Sequence, residues 1–256
     1  MKLLLRLFVF GLVLVLILGL VAAFLPASAA LSLVQDRMRD VRMEGVSGSV
    51  WNGRADALTV RERALGAFSW KLSPWALFSK RIDADITLDG PEVKADGFVS
   101  LTGPGSLQLR GMRASVDAQR LQGVLDVPAL VFKGRVEFDL RELVVDQYFP
   151  AKVEGSALWR EAAVAGSADA RLGDIRADFA TQGVGTIAGT VTDSGGPLSI
   201  EGGTFSAGLQ GLSAEATLRA RDGDAAVQRA LQYIGQPQED GSSRLEIRGQ
   251  MNRVGG

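Results

Sequence analysis

The sequence contains no histidine and no cysteine. Their absence excludes Ser-His-Asp and Cys-His nucleophile pairs, thiolate or imidazole metal ligands, and any disulfide framework. Proline is scarce, with 8 residues against 31 glycines, and glycine without a collagen period is typical of the turns of an all-β protein. The 28 basic and 29 acidic side chains nearly cancel, which argues against a nucleic-acid partner, because phosphate backbones require clustered Lys and Arg.

A long apolar segment is present near the N-terminus. Lys2 and Arg6 precede an uncharged run from Leu7 to Leu25, and about 20 apolar residues are enough to cross a bilayer as a helix. Basic residues on the N-terminal side predict that this end is cytoplasmic. We therefore expect a single-span membrane anchor (residues 1–30), a short and partly helical stalk (31–44) and an extracytoplasmic domain (45–256).

The same segment is also compatible with a cleaved signal peptide, because Ala27-Ser28-Ala29 fits the small-x-small cleavage pattern. The apolar region of a signal peptide usually has about 7–15 residues, and this run is longer, which favours an uncleaved signal anchor. Two glycines eight positions apart lie on one helix face and allow a close helix neighbour, although membrane helices are rich in glycine in any case. The predicted anchor residues include Leu7, Gly11, Leu16, Gly19 and Leu25.

Most of the remaining chain alternates apolar and polar residues with a period of two, which is typical of half-buried antiparallel strands. In RIDADITLDG the apolar set is Ile82, Ala84, Ile86 and Leu88. The pattern recurs in SLQLRGMRASVDA, RVEFDLREL, LSAEATLRAR and RLEIRGQM. We expect an all-β fold, with a large, curved, mostly antiparallel sheet and few short helices.

Three short helical segments are predicted within this sheet-forming part. Asp224 is a good N-cap for AAVQRALQYI, and Gly235 is placed to end that helix. Ser73 followed by Pro74 is typical of the start of a single turn. The segment 118–125 is also compatible with a helix.

Two parts of the chain resemble each other. GSVWNGRA, starting at Gly48, is similar to GSALWREA, starting at Gly155, and GPGSLQLRG parallels GGPLSIEGG later on. A chain rich in glycine and alanine produces some similarity by chance, but these landmarks come in the same order in both parts. We therefore expect a duplicated β-unit with halves of about 45–150 and 151–256.

The sequence contains no recognisable catalytic or cofactor motif. The phosphate-binding loop motif GxxxxGK[ST] does not occur. A dinucleotide-binding fingerprint requires a βαβ unit, and the strand-like alternation of the sequence argues against one. Glu137 and Asp139 lie two apart on a predicted strand, as do Asp83 and Asp85, and this spacing is typical of a solvated sheet face. A carboxylate-based hydrolase with partners on distant strands stays open as a minor alternative. We expect no enzyme activity and no catalytic, cofactor-binding or metal-binding residues.

The four tryptophans are more informative than the carboxylates. A tryptophan buries a large apolar area and packs sheets or fills turn corners, so most of them are interpreted as core anchors. Trp75, followed by Leu77 and Phe78 in SPWALFSKR, is instead the best candidate for contact with a partner. The structural or interaction candidates are Gly48, Trp51, Gly53, Trp70, Pro74, Trp75 and Trp159.

The order of these elements resembles the protein N family of type II secretion systems. The resemblance rests on GSVWNGRA followed by LGAFSWKLSPWALF, at positions Gly48, Val50, Trp51, Gly53, Ala55, Leu65, Gly66, Trp70, Leu72, Pro74 and Leu77. It implies a single-pass inner-membrane protein with a periplasmic β domain. Such a protein takes part in the export of folded proteins across the outer membrane, through contacts with other secretion proteins. The family has no assigned catalytic residues, so the resemblance implies none in this chain.

A second function is compatible with the same alternation. Repeated amphipathic strands can also form an open, curved sheet whose apolar face is a groove for lipid or another amphiphile, as in AsmA-like periplasmic proteins. Periodicity alone does not separate a closed core from a lipid-binding groove.

Overall fold

The computed structural model describes residues 26–34, 40–121, 130–183, 185–208 and 211–249. Within these ranges the chain is mostly antiparallel β-sheet with few short helices, which confirms the all-β prediction. The chain forms two compact units, one ending at Pro91 and the other beginning at Glu92. The predicted duplication into halves 45–150 and 151–256 stays a prediction.

The N-terminal unit is a small antiparallel sheet with two short helices. In it, β1 (Val41–Glu44) and β2 (Ser47–Gly48) both pair with β3 (Asn52–Val60), which pairs with β4 (Arg63–Leu72), and β4 pairs with β5 (Ile82–Asp89). Asn52–Val60 and Arg63–Leu72 form a hairpin whose turn has positive φ at Arg61 and Glu62. The elements are α1 (Ala27–Val34), β1 (Val41–Glu44), β2 (Ser47–Gly48), β3 (Asn52–Val60), β4 (Arg63–Leu72), α2 (Pro74–Phe78) and β5 (Ile82–Asp89).

The C-terminal unit is a larger antiparallel sheet in which consecutive strands pair with each other, from β6 (Val93–Gly103) to β13 (Gly211–Ala220), and β15 (Ser243–Gly249) then pairs with β13. Its elements are β6 (Val93–Gly103), β7 (Ser106–Asp117), a 3-10 turn (Ala118–Leu121), β8 (Leu130–Asp146), β9 (Phe149–Gly166), β10 (Ala170–Thr181), β11 (Thr186–Asp193), β12 (Leu198–Gly208), β13 (Gly211–Ala220), a second 3-10 turn (Arg221–Gly223), α3 (Ala225–Leu231), β14 (Gln236–Pro237) and β15 (Ser243–Gly249).

One face of the C-terminal sheet carries the core. The register places Val136, Trp159 and Ile175 in one row across β8, β9 and β10, and this row packs against buried residues. Because side chains alternate between faces, the intervening positions carry the polar residues of the opposite face. The buried core consists of Ala118, Leu130, Phe132, Val136, Ala162, Val164, Ala168, Ala170, Leu172, Leu198, Leu218, Val227, Ala230 and Leu231.

Helix α3 belongs to this core and has the N-cap that the sequence predicts. The Asp224 carboxylate accepts hydrogen bonds from the backbone N–H groups of Ala226 at 2.9 Å and Val227 at 3.0 Å. The helix ends at Leu231 and is therefore shorter than predicted. Beyond it the chain tightens into i→i+3 bonds, such as the bond from the Ile234 N–H to the Leu231 carbonyl at 3.2 Å, so Gly235 is not the capping residue.

The other two helical predictions have mixed outcomes. α2 has Pro74 at its start, as predicted, but the Ser73 side chain makes no capping hydrogen bond. Of the segment 118–125, Ala118–Leu121 is a 3-10 turn, and residues 122–129 lie outside the described residues.

A partly buried ion pair stabilises the approach to α3. Arg221 Nη2 lies 2.6 Å from Asp193 Oδ1, and the Asp193 side chain is only 11% exposed. Asp193 also accepts hydrogen bonds from the N–H groups of Gly195 at 3.0 Å and Ile200 at 2.9 Å. Burial raises the pKa of this carboxyl, but the hydrogen bonds and the guanidinium outweigh burial and leave the pKa below its usual range.

The residues of the predicted membrane anchor lie outside the described residues: Leu7, Gly11, Leu16, Gly19 and Leu25. Within the described ranges no helix is long and apolar enough to cross a bilayer. Helix α1 begins at Ala27, inside the predicted cleavage pattern, and Pro26 forms an isolated bridge with Ser49.

Candidate functional site

The tryptophan motif of the N-terminal unit builds a tight corner between β2, β3 and β4. Trp70, on β4, donates a hydrogen bond from its Nε1 to the carbonyl of Val50 at 2.9 Å. Its ring lies over Gly53, where a Cβ atom would overlap the indole, and Gly48 has a φ of +83° that favours glycine. These contacts give the two glycines and Trp70 a structural role.

Trp51 is part of the same corner through its backbone. Its carbonyl accepts a hydrogen bond from the Leu72 N–H at 2.7 Å, and its side chain is half-buried. On the neighbouring strand, the rings of Phe68 and Trp70 stack with centroids 5.8 Å apart. The corner therefore fixes the end of β4, from which α2 continues.

Helix α2 is held in place by backbone hydrogen bonds at both ends. The Ser73 N–H donates to the carbonyl of Asp83 at 2.8 Å, and the Arg81 N–H donates to the carbonyl of Ala76 at 3.1 Å. Lys80 takes a left-handed φ of +54°, which turns the chain into β5, and Ala76 is the buried residue of the helix. The helix is thus positioned by its chain ends and by one small side chain.

The large side chains of α2 point into solvent. Trp75 is 78% exposed, Phe78 is 83% exposed and Leu77 is 49% exposed. The two aromatic rings lie against each other, with centroids 5.8 Å apart. We call Trp75, Leu77 and Phe78 the α2 patch. None of its side chains belongs to the buried core, so the packing of the described residues does not explain why they are apolar.

Trp159, the candidate of the C-terminal unit, has a packing role. Its Nε1 donates to the carbonyl of Lys133 at 2.8 Å, and its ring meets the buried ring of Phe132 edge-on, with centroids 5.6 Å apart. Both contacts tie β8 to β9 on the core face of the sheet.

A second exposed aromatic pair was not predicted from the sequence. Tyr148 is 79% exposed and Phe149 is 65% exposed, at the turn between β8 and β9. Gln147 and Tyr148 both have positive φ, and the Tyr148 N–H donates to the carbonyl of Gly105 at 2.9 Å. The available signal was DQYFP, which places two aromatics in a turn between two strongly alternating segments.

Of the strand carboxylates singled out in the sequence, Glu137 and Asp139 line a groove of about 370 Å³ in the C-terminal unit. Asp83 lies in the N-terminal unit, and its side chain is only 13% exposed. Glu137 accepts a hydrogen bond from Arg160 at 2.7 Å, and Asp96, at the other side of the groove, accepts one from Arg113 at 2.8 Å. Asp139 also lines the groove and is exposed, as predicted for a solvated sheet face. The arrangement is a set of ion pairs across neighbouring strands.

The carboxyl groups with shifted pKa values are all stabilised in their ionised form. Among the described residues these are Glu142, Asp178, Asp193 and Asp240, and the pKa of each is lowered. For Asp240, hydrogen bonds from the hydroxyl and the N–H of Ser242 lower the pKa to about 2. A general acid that works near neutral pH requires the opposite shift. No cluster of three or more possible metal ligands is found in the described ranges.

The fold and the surface together define an all-β protein in which a tryptophan corner presents an exposed apolar helix. The family model of type II secretion system (T2SS) protein N matches residues 39–246, which is most of the chain. The chain therefore belongs to this family, and the resemblance that the tryptophan motif indicated is confirmed.

A curated relative supports the assignment. The type II secretion system protein N of Vibrio cholerae serotype O1 is 26% identical over 167 residues, which cover 63% of this chain and 66% of the relative. The chain thus matches slightly under two thirds of the relative's length. No solved structure matches the chain.

Proposed function

We propose that this protein is an inner-membrane-anchored, periplasmic component of the type II secretion system that acts through protein–protein contacts in the export of folded proteins across the outer membrane. Membership of the protein N family supports the secretion role. The apolar run from Leu7 to Leu25, with Lys2 and Arg6 before it, supports an anchor with a cytoplasmic N-terminus.

The observation that carries the proposed mechanism is the α2 patch. A buried Leu or Phe stabilises a protein by about 1.5–3 kcal/mol relative to an exposed one, and these side chains are left in solvent. Tryptophan and other aromatics are frequent among the few residues that dominate binding energy in protein interfaces. We infer that Trp75 and Phe78 are the anchors that a partner buries.

Charge next to the patch indicates the kind of surface that fits it. Lys80 and Arg81 follow Ser79, the residue after the helix, and both are exposed. Arg81 has a carboxylate neighbour, Asp83, at 3.5 Å. A partner with an apolar pocket and an acidic rim is complementary to this arrangement, since rim charges steer association.

Deletion of the gene tests the secretion role. We expect exoprotein to accumulate in the periplasm, and expression of the wild-type chain to restore its export. Unchanged export in the deletion strain would remove the proposed role altogether.

Complementation with variants then tests the α2 patch. Trp75→Ala/Phe78→Ala is expected to reduce export strongly, because the loss of two anchors of about 2 kcal/mol each lowers affinity by roughly 30-fold per residue. Phe149→Ala is the matched control, since Phe149 is an exposed aromatic of the other unit. Immunoblotting checks that all variants accumulate equally. Full export with the double variant would exclude the patch but leave the secretion role intact.

A further inference from the structure

Among the described strands, β15 has one edge that is mostly unpaired. On one side it pairs with β13 over its whole length, from Ser243 opposite Leu218 to Gly249 opposite Leu212. On the other side β14 pairs only with Ser243 and Arg244. In the part of the chain that the structure describes, no other strand pairs with this side, so the outward backbone groups of residues 245–249 have no strand beside them.

The side chains of β15 do not protect this edge. Natural sheets usually block an open edge with proline, a bulge or charged side chains, and charges of one sign also repel a second copy of the same strand. Residues 245–249 contain no proline, and the register between β13 and β15 is continuous. Ile247 is 41% exposed, and the two charges of the edge, Glu246 and Arg248, have opposite signs.

The order of these residues is self-complementary. We propose that two copies of this chain pair through β15, antiparallel, about a two-fold axis at Ile247. In this register Glu246 of each copy lies opposite Arg248 of the other, and Ile247 lies opposite Ile247. Leu245 lies opposite Gly249, so apolar positions stay on one face and charges on the other. The same patch on both copies forms the contact, as two-fold symmetry requires.

Charges within the single chain favour this pairing. Glu246 stands directly opposite Glu215 in the β13–β15 register, and like charges in that position destabilise a sheet. Arg248 is the cation that contacts both, at 2.7 Å from Glu246 and 3.9 Å from Glu215. The second copy brings another arginine to the open side of Glu246. It also covers Ile247 with an identical side chain.

Cysteine cross-linking gives a direct test, because the chain contains no cysteine. The two-fold axis places residue 247 opposite itself, and opposite Cβ atoms in a sheet are about 4.5–5.5 Å apart. Full-length Ile247→Cys, oxidised in membranes with copper phenanthroline, is therefore expected to form a disulfide-linked dimer on a non-reducing gel. Leu212→Cys is the matched control, since Leu212 is 44% exposed but lies on β13, one strand away from the edge.

The outcomes of this test are distinct. A dimer with Ile247→Cys and little with Leu212→Cys supports the pairing. Equal cross-linking of both variants would show random collision, and absence of cross-linking at position 247 would show that the edge does not meet itself. Either result overturns the proposal.

Charge exchange tests the register independently. Glu246→Arg and Arg248→Glu each place like charges opposite one another twice in the interface, so each variant alone is expected to associate at least about tenfold more weakly. A mixture of the two variants restores opposite pairs and is expected to form a heterodimer. Light scattering of the full chain in detergent measures the mass, and circular dichroism checks the fold. Dimers that no variant changes, or losses that mixing does not rescue, overturn the proposal.

Discussion

Helix α2 of the N-terminal unit has five residues and leaves Trp75, Leu77 and Phe78 in solvent. Helix α3 of the C-terminal unit has seven residues and buries Val227 and Leu231 in the core. Both helices are short and rich in apolar side chains. The composition of a short helix therefore does not determine whether its apolar residues serve packing or remain available to a partner.

The two helices also differ in how they are held. α3 combines a buried face with a cap, since Asp224 accepts two backbone hydrogen bonds. α2 has no side-chain cap. The Ser73 N–H before the helix donates to the Asp83 carbonyl, and the Arg81 N–H after it donates to the Ala76 carbonyl in its first turn. Because Trp75 and Phe78 are mostly exposed, they can change without loss of the fold. Substitutions in the α2 patch therefore test the binding of a partner separately from the stability of the fold.

The largest contrast is expected from the same substitution in both helices. Leu231→Ala is expected to lower the free energy of unfolding by about 2–4 kcal/mol, since Leu231 is buried and its loss leaves a cavity. Leu77→Ala is expected to change it by less than about 0.5 kcal/mol, because Leu77 is half in solvent. Urea denaturation measures both. A similar loss at the two positions would contradict the difference between the helices.

A smaller contrast is expected at the caps. Asp224→Ala removes the acceptor of two hydrogen bonds and is expected to cost about 1 kcal/mol. Ser73→Ala removes a side chain that makes no capping bond and is expected to be nearly neutral. Thermal unfolding followed by circular dichroism compares the two variants. Equal shifts of the midpoint would show that Ser73 caps α2 in solution.

The strands and the packing tryptophans are predictable because their signals are local. Alternation in RVEFDLREL identifies β8, and the glycines around Trp51 indicate a tight corner. The sequence singles out Trp75, Leu77 and Phe78 as candidates for contact with a partner, but it does not predict how α2 is oriented, because a five-residue helix is too short to show a period. Its orientation depends on the bond between Ser73 and Asp83, which lie ten positions apart.

Two other features depend on which strands pair, and the sequence pattern does not specify strand pairing. The turn at Tyr148 and Phe149 is held by Gly105 of the neighbouring hairpin, which the sequence does not place beside it. The open edge of β15 follows from strand order, since the segment RLEIRGQM alone looks like any half-buried strand. Periodicity predicts that a strand exists, but not which of its edges has a neighbour.

Site-specific photo-cross-linking from Phe78 tests the central claim most directly. With p-benzoylphenylalanine at this position in living cells, we predict an adduct with another type II secretion protein. The adduct is expected to disappear in a strain that lacks the other secretion genes, and the same probe at Phe149 is expected to give none. Absence of an adduct at Phe78, or an adduct that persists without the secretion system, would contradict the account.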